Sequence, residues 1–207
     1  MLTETSGRTA RDLAAELDGL RGVDWASVWA GPPQGGSPEF REWCGRHGWD
    51  PQTVERNLVV RTRAGGELTF EANGNWHPVQ RLTYWASRVA ATEPSDNAAV
   101  LTAAAQNWGL FLEAAESVLG PAVWSGAYDA EDFPEPPERA FWGKRDYRLE
   151  TRDPYRMAFW APQGEHPGQA FIVLDQAISF QTWNSDAPGA SVIVLKVHAP
   201  EGSKRLR

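Results

Sequence analysis

Tryptophan constrains the fold of this chain more than any other residue type, because eleven tryptophans are spread along its 207 residues. Each indole can bury roughly 200 Å² of largely apolar surface, and its N–H group still needs a hydrogen-bond partner. Such a set predicts either a large core or an aromatic contact surface. The tryptophans are Trp25, Trp29, Trp43, Trp49, Trp76, Trp85, Trp108, Trp124, Trp142, Trp160 and Trp183.

Length and composition predict a single α+β domain over residues 1–207. Apolar residues make up 42% of the chain and charged residues 23%, which is ordinary for a globular domain. The length also allows two closely packed halves, residues 1–93 and 94–207. Asp24-Trp25 after the first predicted helix resembles residues 120–124 after the longest one, so an old duplication is one interpretation.

The charge of the chain favours a basic protein as partner over nucleic acid. Its formal net charge is −7, and a net negative charge attracts basic partners. Nucleic-acid binders carry a basic stripe that neutralises phosphates. The only such run here is the short segment 204–207.

Three features predict a cytoplasmic protein that does not contact a membrane. Cys44 is the single cysteine, so no disulfide can form within the chain. Residues 1–13 lack the apolar segment of a secretory signal. No run approaches the roughly 20 apolar residues that cross a bilayer.

Capping residues predict two helices in the first quarter of the chain. The first covers residues 10–20, where Thr9 and Asp12 form a capping box. The second covers residues 38–47, with Ser37 as its N-cap. Residues 50–51 repeat the cap-then-proline signal and predict one further helical turn.

The longest helix is predicted over residues 97–119 and ends at Gly120. Apolar residues recur there at helical spacing, so this helix should be the central packing element. The apolar stripe consists of Leu101, Ala104, Trp108, Phe111, Leu112, Ala115 and Leu119.

A β-hairpin is predicted from residues 57–63 and 67–72, joined by a three-residue loop, 64–66. This register keeps the apolar side chains on one face, whereas a slip of one residue would mix the faces. It places Gly66 in the left-handed region and Arg63 opposite Glu67. It also pairs Leu58, Val60 and Thr62 with Ala72, Phe70 and Leu68.

A strand at residues 80–86 follows, and further strands are predicted beyond the long helix, at 145–151, 155–161, 170–174, 178–183 and 191–198. The fold class is therefore α+β. It has a small hairpin sheet with N-terminal helices, then a long central helix packed on a mostly antiparallel C-terminal sheet.

Residue patterns typical of metal binding, cofactor binding or nucleophilic catalysis are missing from the sequence. Cys44 and His47 are two potential zinc ligands, but no second pair occurs at zinc spacing. No Gly-x-Ser-x-Gly elbow or phosphate-binding Gly-rich loop occurs. We therefore expect no metal and no cofactor, and a binding protein rather than an enzyme.

The candidate partner-binding surface is an acidic, proline-rich segment, residues 129–138. Prolines exclude a regular helix there, and exposed carboxylates could dock a basic protein with one phenylalanine as an apolar anchor. A solvated loop without a partner is the alternative. The candidate residues are Asp129, Glu131, Asp132, Phe133, Glu135 and Glu138.

A second candidate surface lies in the turn-rich segment 73–78. Trp76 and His77 there could contact a small molecule or a carbohydrate at a loop tip. The alternative is that the indole folds back onto the core.

The acidic chain, its missing catalytic motifs and the segments 20–25, 119–124 and Trp142 resemble the tryptophan-rich immunity-type proteins of bacterial polymorphic toxin systems. The resemblance implies a protein-binding module, of immunity or chaperone type, that neutralises a partner protein inside the producing cell. The competing interpretation is a small-molecule or carbohydrate-binding protein, or an enzyme, with a Trp-lined pocket.

Overall fold

The computed structural model describes residues 1–4, 7–53, 58–72, 77–137, 141–162, 169–179 and 186–200. Within these residues the chain forms five α-helices and nine strands. The helices are α1 (Ala10–Leu20), α2 (Trp25–Ala30), α3 (Pro38–His47), α4 (Asn97–Leu119) and α5 (Arg145–Thr151).

All the described strands belong to one antiparallel sheet, so the fold is the expected α+β class. The strands are β1 (Leu2–Glu4), β2 (Asp50–Thr53), β3 (Leu58–Arg61), β4 (Glu67–Ala72), β5 (Val79–Ala91), β6 (Trp124–Ala127), β7 (Arg156–Trp160), β8 (Phe171–Ser179) and β9 (Ala190–His198). Their order in the sheet is β2-β3-β4-β5-β9-β8-β7-β6, and β1 pairs with β5. Pairing of β5 with β9 joins the hairpin region to the C-terminal strands, so one sheet replaces the two that were expected.

The predicted caps of the first helices are confirmed. Thr9 and Asp12 form the capping box at the start of α1. Ser37 accepts a hydrogen bond from the backbone N–H of Phe40 at the start of α3, and Gly48 ends that helix in the left-handed conformation. These ends follow from local chemistry, because each cap uses atoms within a few residues of the helix terminus.

The long helix α4 also has its predicted bounds, and Gly120 follows its last residue. Trp108 and Phe111 are buried, at 8% and 4% exposed. Leu101 is 38% exposed and lies outside the buried stripe, whereas Val100 is fully buried. The apolar stripe of α4 is therefore shifted slightly from the predicted one, and the helix packs against α1, β5 and β9.

The main core lies between one face of the sheet and the first four helices. Apolar side chains of every one of these helices meet strand residues in a single cluster, so this core connects both halves of the chain. Its members include Leu13, Leu17, Val28, Trp29, Phe40, Trp43, Trp108 and Phe111 from the helices, and Leu58, Leu68, Leu82 and Leu195 from the strands.

A second, smaller core lies on the opposite face of the sheet. Val173 belongs to it whereas the next residue, Leu174, belongs to the main core, as expected for alternating side chains of one strand. Its buried members are Phe133, Phe141, Trp142, Met157, Phe171 and Val173.

The predicted register of the hairpin is wrong by two residues. Leu58 pairs with Phe70 and Val60 with Leu68. A shift of two preserves the faces, so the apolar side chains still point into the main core. The loop of three residues is 63–65 rather than 64–66, and Gly65, at φ +85°, takes the left-handed position.

A buried carboxylate explains the register. Glu16 of α1 is 2% exposed and accepts hydrogen bonds from the Thr62 hydroxyl at 2.6 Å and from the Gly66 backbone N–H at 2.7 Å. Thr62 and Gly66 also bond to each other across the loop, N to O at 2.8 Å. The pairing of β3 with β4 therefore continues as far as Thr62 and Gly66. Glu67 pairs with Arg61, so Arg63 cannot lie opposite it.

Several other predicted elements differ from the structure. Residues 145–151, predicted as a strand, form α5. Residues 50–51, predicted as a helical turn, begin β2, because they pair with Arg61 and Val60 of β3. The two predicted strands at 170–174 and 178–183 share the continuous strand β8 as far as Ser179. The elements β1, α2 and β6 were not predicted.

None of the helices in the described residues combines the length and apolarity that crossing a membrane requires.

Candidate partner-binding surface

The acidic segment follows β6, the last strand in the sheet order, and residues 129–137 of it are described. The carboxylate residues Asp129, Glu131, Asp132 and Glu135 are all exposed. They form the acidic loop surface. The predicted site residue Glu138 lies outside the described residues.

Phe133 does not have the exposed position that an anchor residue needs. It is 9% exposed and belongs to the second core. Its ring meets the ring of Trp124 edge-on, with centroids 4.7 Å apart. The side chain thus holds the acidic loop to the sheet, because burying it removes apolar surface from water.

Two indole N–H groups fix the loop further. Trp124 donates from Nε1 to Oδ2 of Asp132 at 3.2 Å, and Trp142 donates from Nε1 to the carbonyl oxygen of Pro134 at 2.9 Å. Tryptophans therefore hold the loop from both sides of Phe133. A loop held in this way loses little conformational entropy when a partner binds.

Arg148 of α5 packs over the ring of Phe133, and the sequence analysis missed this residue. Its guanidinium carbon lies 3.8 Å from the centre of the phenylalanine ring. The side chain is 4% exposed, and its Nη1 atom has no hydrogen-bond partner among the described residues. A buried cation without a bonded partner destabilises a fold, and such groups call for a functional explanation.

The electrostatic surroundings of Arg148 are mixed. Burial is the main cause that lowers the pKa of its guanidinium, and the nearby Arg145 acts in the same direction. Glu135 and Asp129 oppose this shift. The buried cation thus attracts two carboxylates of the acidic loop and reduces the repulsion within it.

Tyrosines and arginines border the acidic loop. The rings of Tyr128 and Tyr155 stack with centroids 5.6 Å apart. Arg152 lies over Tyr128 at 5.8 Å, and Arg156 lies over Tyr155 at 5.7 Å. Tyrosine and arginine are enriched in protein interfaces.

The sequence contained a helical pattern at the arginines of α5. Arg145, Arg148 and Arg152 recur at intervals of three and four residues, which is helical spacing. The segment was nevertheless predicted as a strand, and its side chains Tyr147 and Leu149 are exposed.

The second predicted surface is described only in part. Trp76 lies outside the described residues. His77 is exposed, and its Nδ1 atom lies 3.0 Å from the carbonyl oxygen of Ala30 at the end of α2.

The chemistry of Cys44 does not support nucleophilic catalysis. The side chain is fully buried, and burial raises the pKa of its thiol to about 11. A thiol needs its thiolate form to attack, and at neutral pH this one stays protonated. Among the described residues, no three histidine, cysteine or carboxylate side chains gather as metal ligands.

Comparisons of the chain with protein-family models, with curated proteins and with solved structures gave no match.

Proposed function

We propose that this chain is a cytoplasmic protein-binding module of the immunity type, which binds and neutralises a basic partner protein. The acidic loop surface is the proposed contact region. One observation carries the proposal. The carboxylates of Asp129, Glu131, Asp132 and Glu135 face solvent on a loop that Phe133 and two indole N–H groups hold in place.

The physical basis is a preorganised negative field. Exposed carboxylates of one sign speed the encounter with a basic surface. Screening limits this effect at physiological salt, where the Debye length is about 8 Å. Because the loop is already held, binding does not have to order it.

Arg148 gives the surface a second supporting feature. Its side chain is buried and its Nη1 atom has no hydrogen-bond partner among the described residues, which costs stability. Its position against Phe133 therefore supports a role in placing the acidic loop. Tyr128 and Tyr155 extend the surface with partly exposed rings that suit a protein contact.

The test compares two triple variants of equal charge. Glu131→Gln, Asp132→Asn and Glu135→Gln together neutralise the acidic loop surface. The amide at position 132 keeps an oxygen that can accept the Trp124 N–H bond. The control neutralises three exposed carboxylates on the helices α1, α3 and α4, Asp18→Asn, Glu42→Gln and Glu113→Gln.

Tagged parent and variants are used to purify a basic partner from the native cytosol, and association rates with that partner are then measured at low and physiological salt. We expect the loop variant to associate at least several-fold more slowly at low salt, and the control to match the parent. Equal rates for the loop variant and the parent would remove this surface from the interface. Unchanged circular dichroism spectra would show that both variants fold.

A further inference from the structure

An exposed indole stands on a central strand of the sheet. Trp85 of β5 is 58% exposed, and β5 pairs with β4 on one side and β9 on the other. The preceding residue, Tyr84, is buried in the main core. Because side chains alternate along a strand, Trp85 points away from the helices, and strand pairing holds its backbone on both sides.

Polar side chains of the neighbouring strands stand beside this indole. Trp85 lies in an open groove of about 620 Å³ whose lining includes Arg61, Glu67 and Thr69. The volume falls within the roughly 300–1,000 Å³ that is typical of small-molecule sites. We call this region the Trp85 groove.

The sheet register places three of these residues in a row across β3, β4 and β5. Arg61 pairs with Glu67, and the pairing of β4 with β5 joins Leu68 to Tyr84. Glu67 and Trp85 occupy the following pair of positions on these antiparallel strands. Because adjacent strands lie about 4.8 Å apart, the row crosses roughly 10 Å of paired sheet. A ligand whose flat ring lies on the indole can therefore reach the polar pair with its edge.

The arginines of the Trp85 groove are engaged within the protein. Arg61 donates from Nη2 to Oε1 of Glu67 at 3.1 Å. Arg8 donates to the carbonyl oxygen of Gly65, and Arg88 also has an interaction partner. These contacts favour a neutral ligand, because an anion would compete with the partners that the guanidinium groups already have.

The Arg61–Glu67 pair suits the hydroxyl groups of such a ligand. Its two side chains are 50% and 55% exposed, so N–H donors and carboxylate oxygens are offered to solvent next to each other. A hydroxyl group both donates and accepts, so neighbouring hydroxyls can donate to the carboxylate and accept from the guanidinium. Thr69 lines the same groove and adds a further hydroxyl.

We propose that the Trp85 groove binds a neutral oligosaccharide built of glucose-type pyranose rings. All ring hydroxyls of such a sugar are equatorial, so both flat faces of the ring consist of C–H groups. Such a face buries apolar surface on the indole, and its slightly positive C–H groups meet the negative face of the aromatic rings. The equatorial hydroxyls point outward from the edge of the sugar, toward Glu67 and Arg61.

This site is separate from the proposed partner surface. The groove involves β3, β4 and β5, whereas the acidic loop follows β6 at the far end of the strand order. Either site can therefore be tested while the other remains intact.

Titration of the full chain with cellotetraose and with maltotetraose, followed by calorimetry and by saturation-transfer NMR of the sugar, tests the proposal. We expect saturable binding of at least one of them, with a Kd of about 1 mM or tighter. Because the sugar is uncharged, the Kd should change by less than about twofold between low and physiological salt. Absence of saturable binding of both sugars would overturn the proposal. Inorganic phosphate that binds more tightly than either sugar would also overturn it, because the groove would then select charge.

Variants locate the site. Trp85→Leu should weaken sugar binding at least about tenfold, whereas Trp85→Phe keeps a flat ring and should retain most of the affinity. Glu67→Gln keeps the size of the side chain but loses the charged acceptor, so it should weaken binding about threefold or more. The matched controls are Tyr147→Leu, at an aromatic residue that is 55% exposed on α5, and Glu42→Gln on α3. Both should bind like the parent.

Two further outcomes would overturn the proposal. One is a Trp85→Leu variant that binds the sugar like the parent. The other is a Trp85-dependent dimer in sedimentation at the concentrations of the titration, because a second copy of the chain would then cover the indole.

Discussion

The guanidinium of Arg148 lies 3.8 Å from the centre of the Phe133 ring, so a buried cation covers the residue that holds the acidic loop to the sheet. A desolvated cation–π contact contributes up to about 2 kcal/mol. Burying an unpaired charge costs several kcal/mol. This contact therefore positions the loop but does not by itself stabilise the fold.

Replacing Arg148 by methionine should raise the free energy of unfolding by about 1–2 kcal/mol, because it removes the buried charge. Methionine keeps a long apolar side chain over Phe133 and can make a sulfur–aromatic contact. Arg148→Ala is the control, and it should lower the free energy by about 1–3 kcal/mol because it leaves a cavity. Urea denaturation measures both. If methionine destabilises as much as alanine, the guanidinium itself holds the loop.

Gly66→Ala should destabilise the hairpin more than Gly65→Ala. A Cβ atom at position 66 would overlap Oε1 of Glu16 and lie 2.6 Å from Cε2 of Tyr84, and both side chains are buried. We expect a loss of about 2–3 kcal/mol from this overpacking. At position 65 the nearest atoms belong to Arg8 at 3.8 Å, so only the left-handed backbone is penalised, by about 1 kcal/mol.

Thermal or urea denaturation of the two glycine variants separates these causes. An equal or larger loss for Gly65→Ala would show that backbone conformation, rather than the close approach to Glu16, controls this hairpin.

Local signals predicted α1, α3 and α4, whereas α2 was missed and α5 was predicted as a strand. The caps of α1 and α3 use neighbouring residues, so the sequence could indicate both helices accurately. The hairpin register depends on Glu16, which lies 46 residues before Thr62. No local pattern reveals such a contact, and the predicted register was wrong by two.

In the candidate site, too, local features could be predicted and long-range contacts could not. The exposed carboxylates of residues 129–135 could be predicted from composition and proline content. The burial of Phe133 could not, because it depends on Arg148 in a helix that was predicted as a strand. This short helix is stabilised by tertiary packing more than by its own sequence, and Lys144 provides no side-chain cap.

Trp108→Ala should lower the free energy of unfolding by about 3–5 kcal/mol. The indole is 8% exposed and lies in the main core, so its removal leaves a large cavity. Leu110→Ala on the same helix is the control, because that side chain is 56% exposed and should cost less than about 1 kcal/mol. An unchanged denaturation midpoint for Trp108→Ala would show that α4 does not organise the core.

His198 should make the protein less stable in mild acid. The imidazole is 1% exposed and lies against the ring of Phe141, with centroids 4.1 Å apart and planes tilted by 33°. Burial, together with the charges of Arg81 and Lys196, lowers its pKa to about 3. The folded protein therefore keeps this histidine neutral at a pH where the unfolded chain, with a pKa of about 6.5, takes up a proton.

Because the unfolded chain binds this proton more readily, the free energy of unfolding decreases as the pH falls. The contribution of the neutral imidazole to the free energy of unfolding is fully present above about pH 6.5. It falls by up to about 1.4 kcal/mol per pH unit as the pH decreases toward 3. His198→Phe keeps a ring against Phe141 and removes the titration. Between pH 8 and pH 4.5 the parent should therefore lose about 2–3 kcal/mol more than the variant in urea denaturation. Parallel stability curves for the two proteins over this range would show that His198 is protonated in the folded state as readily as in the unfolded chain.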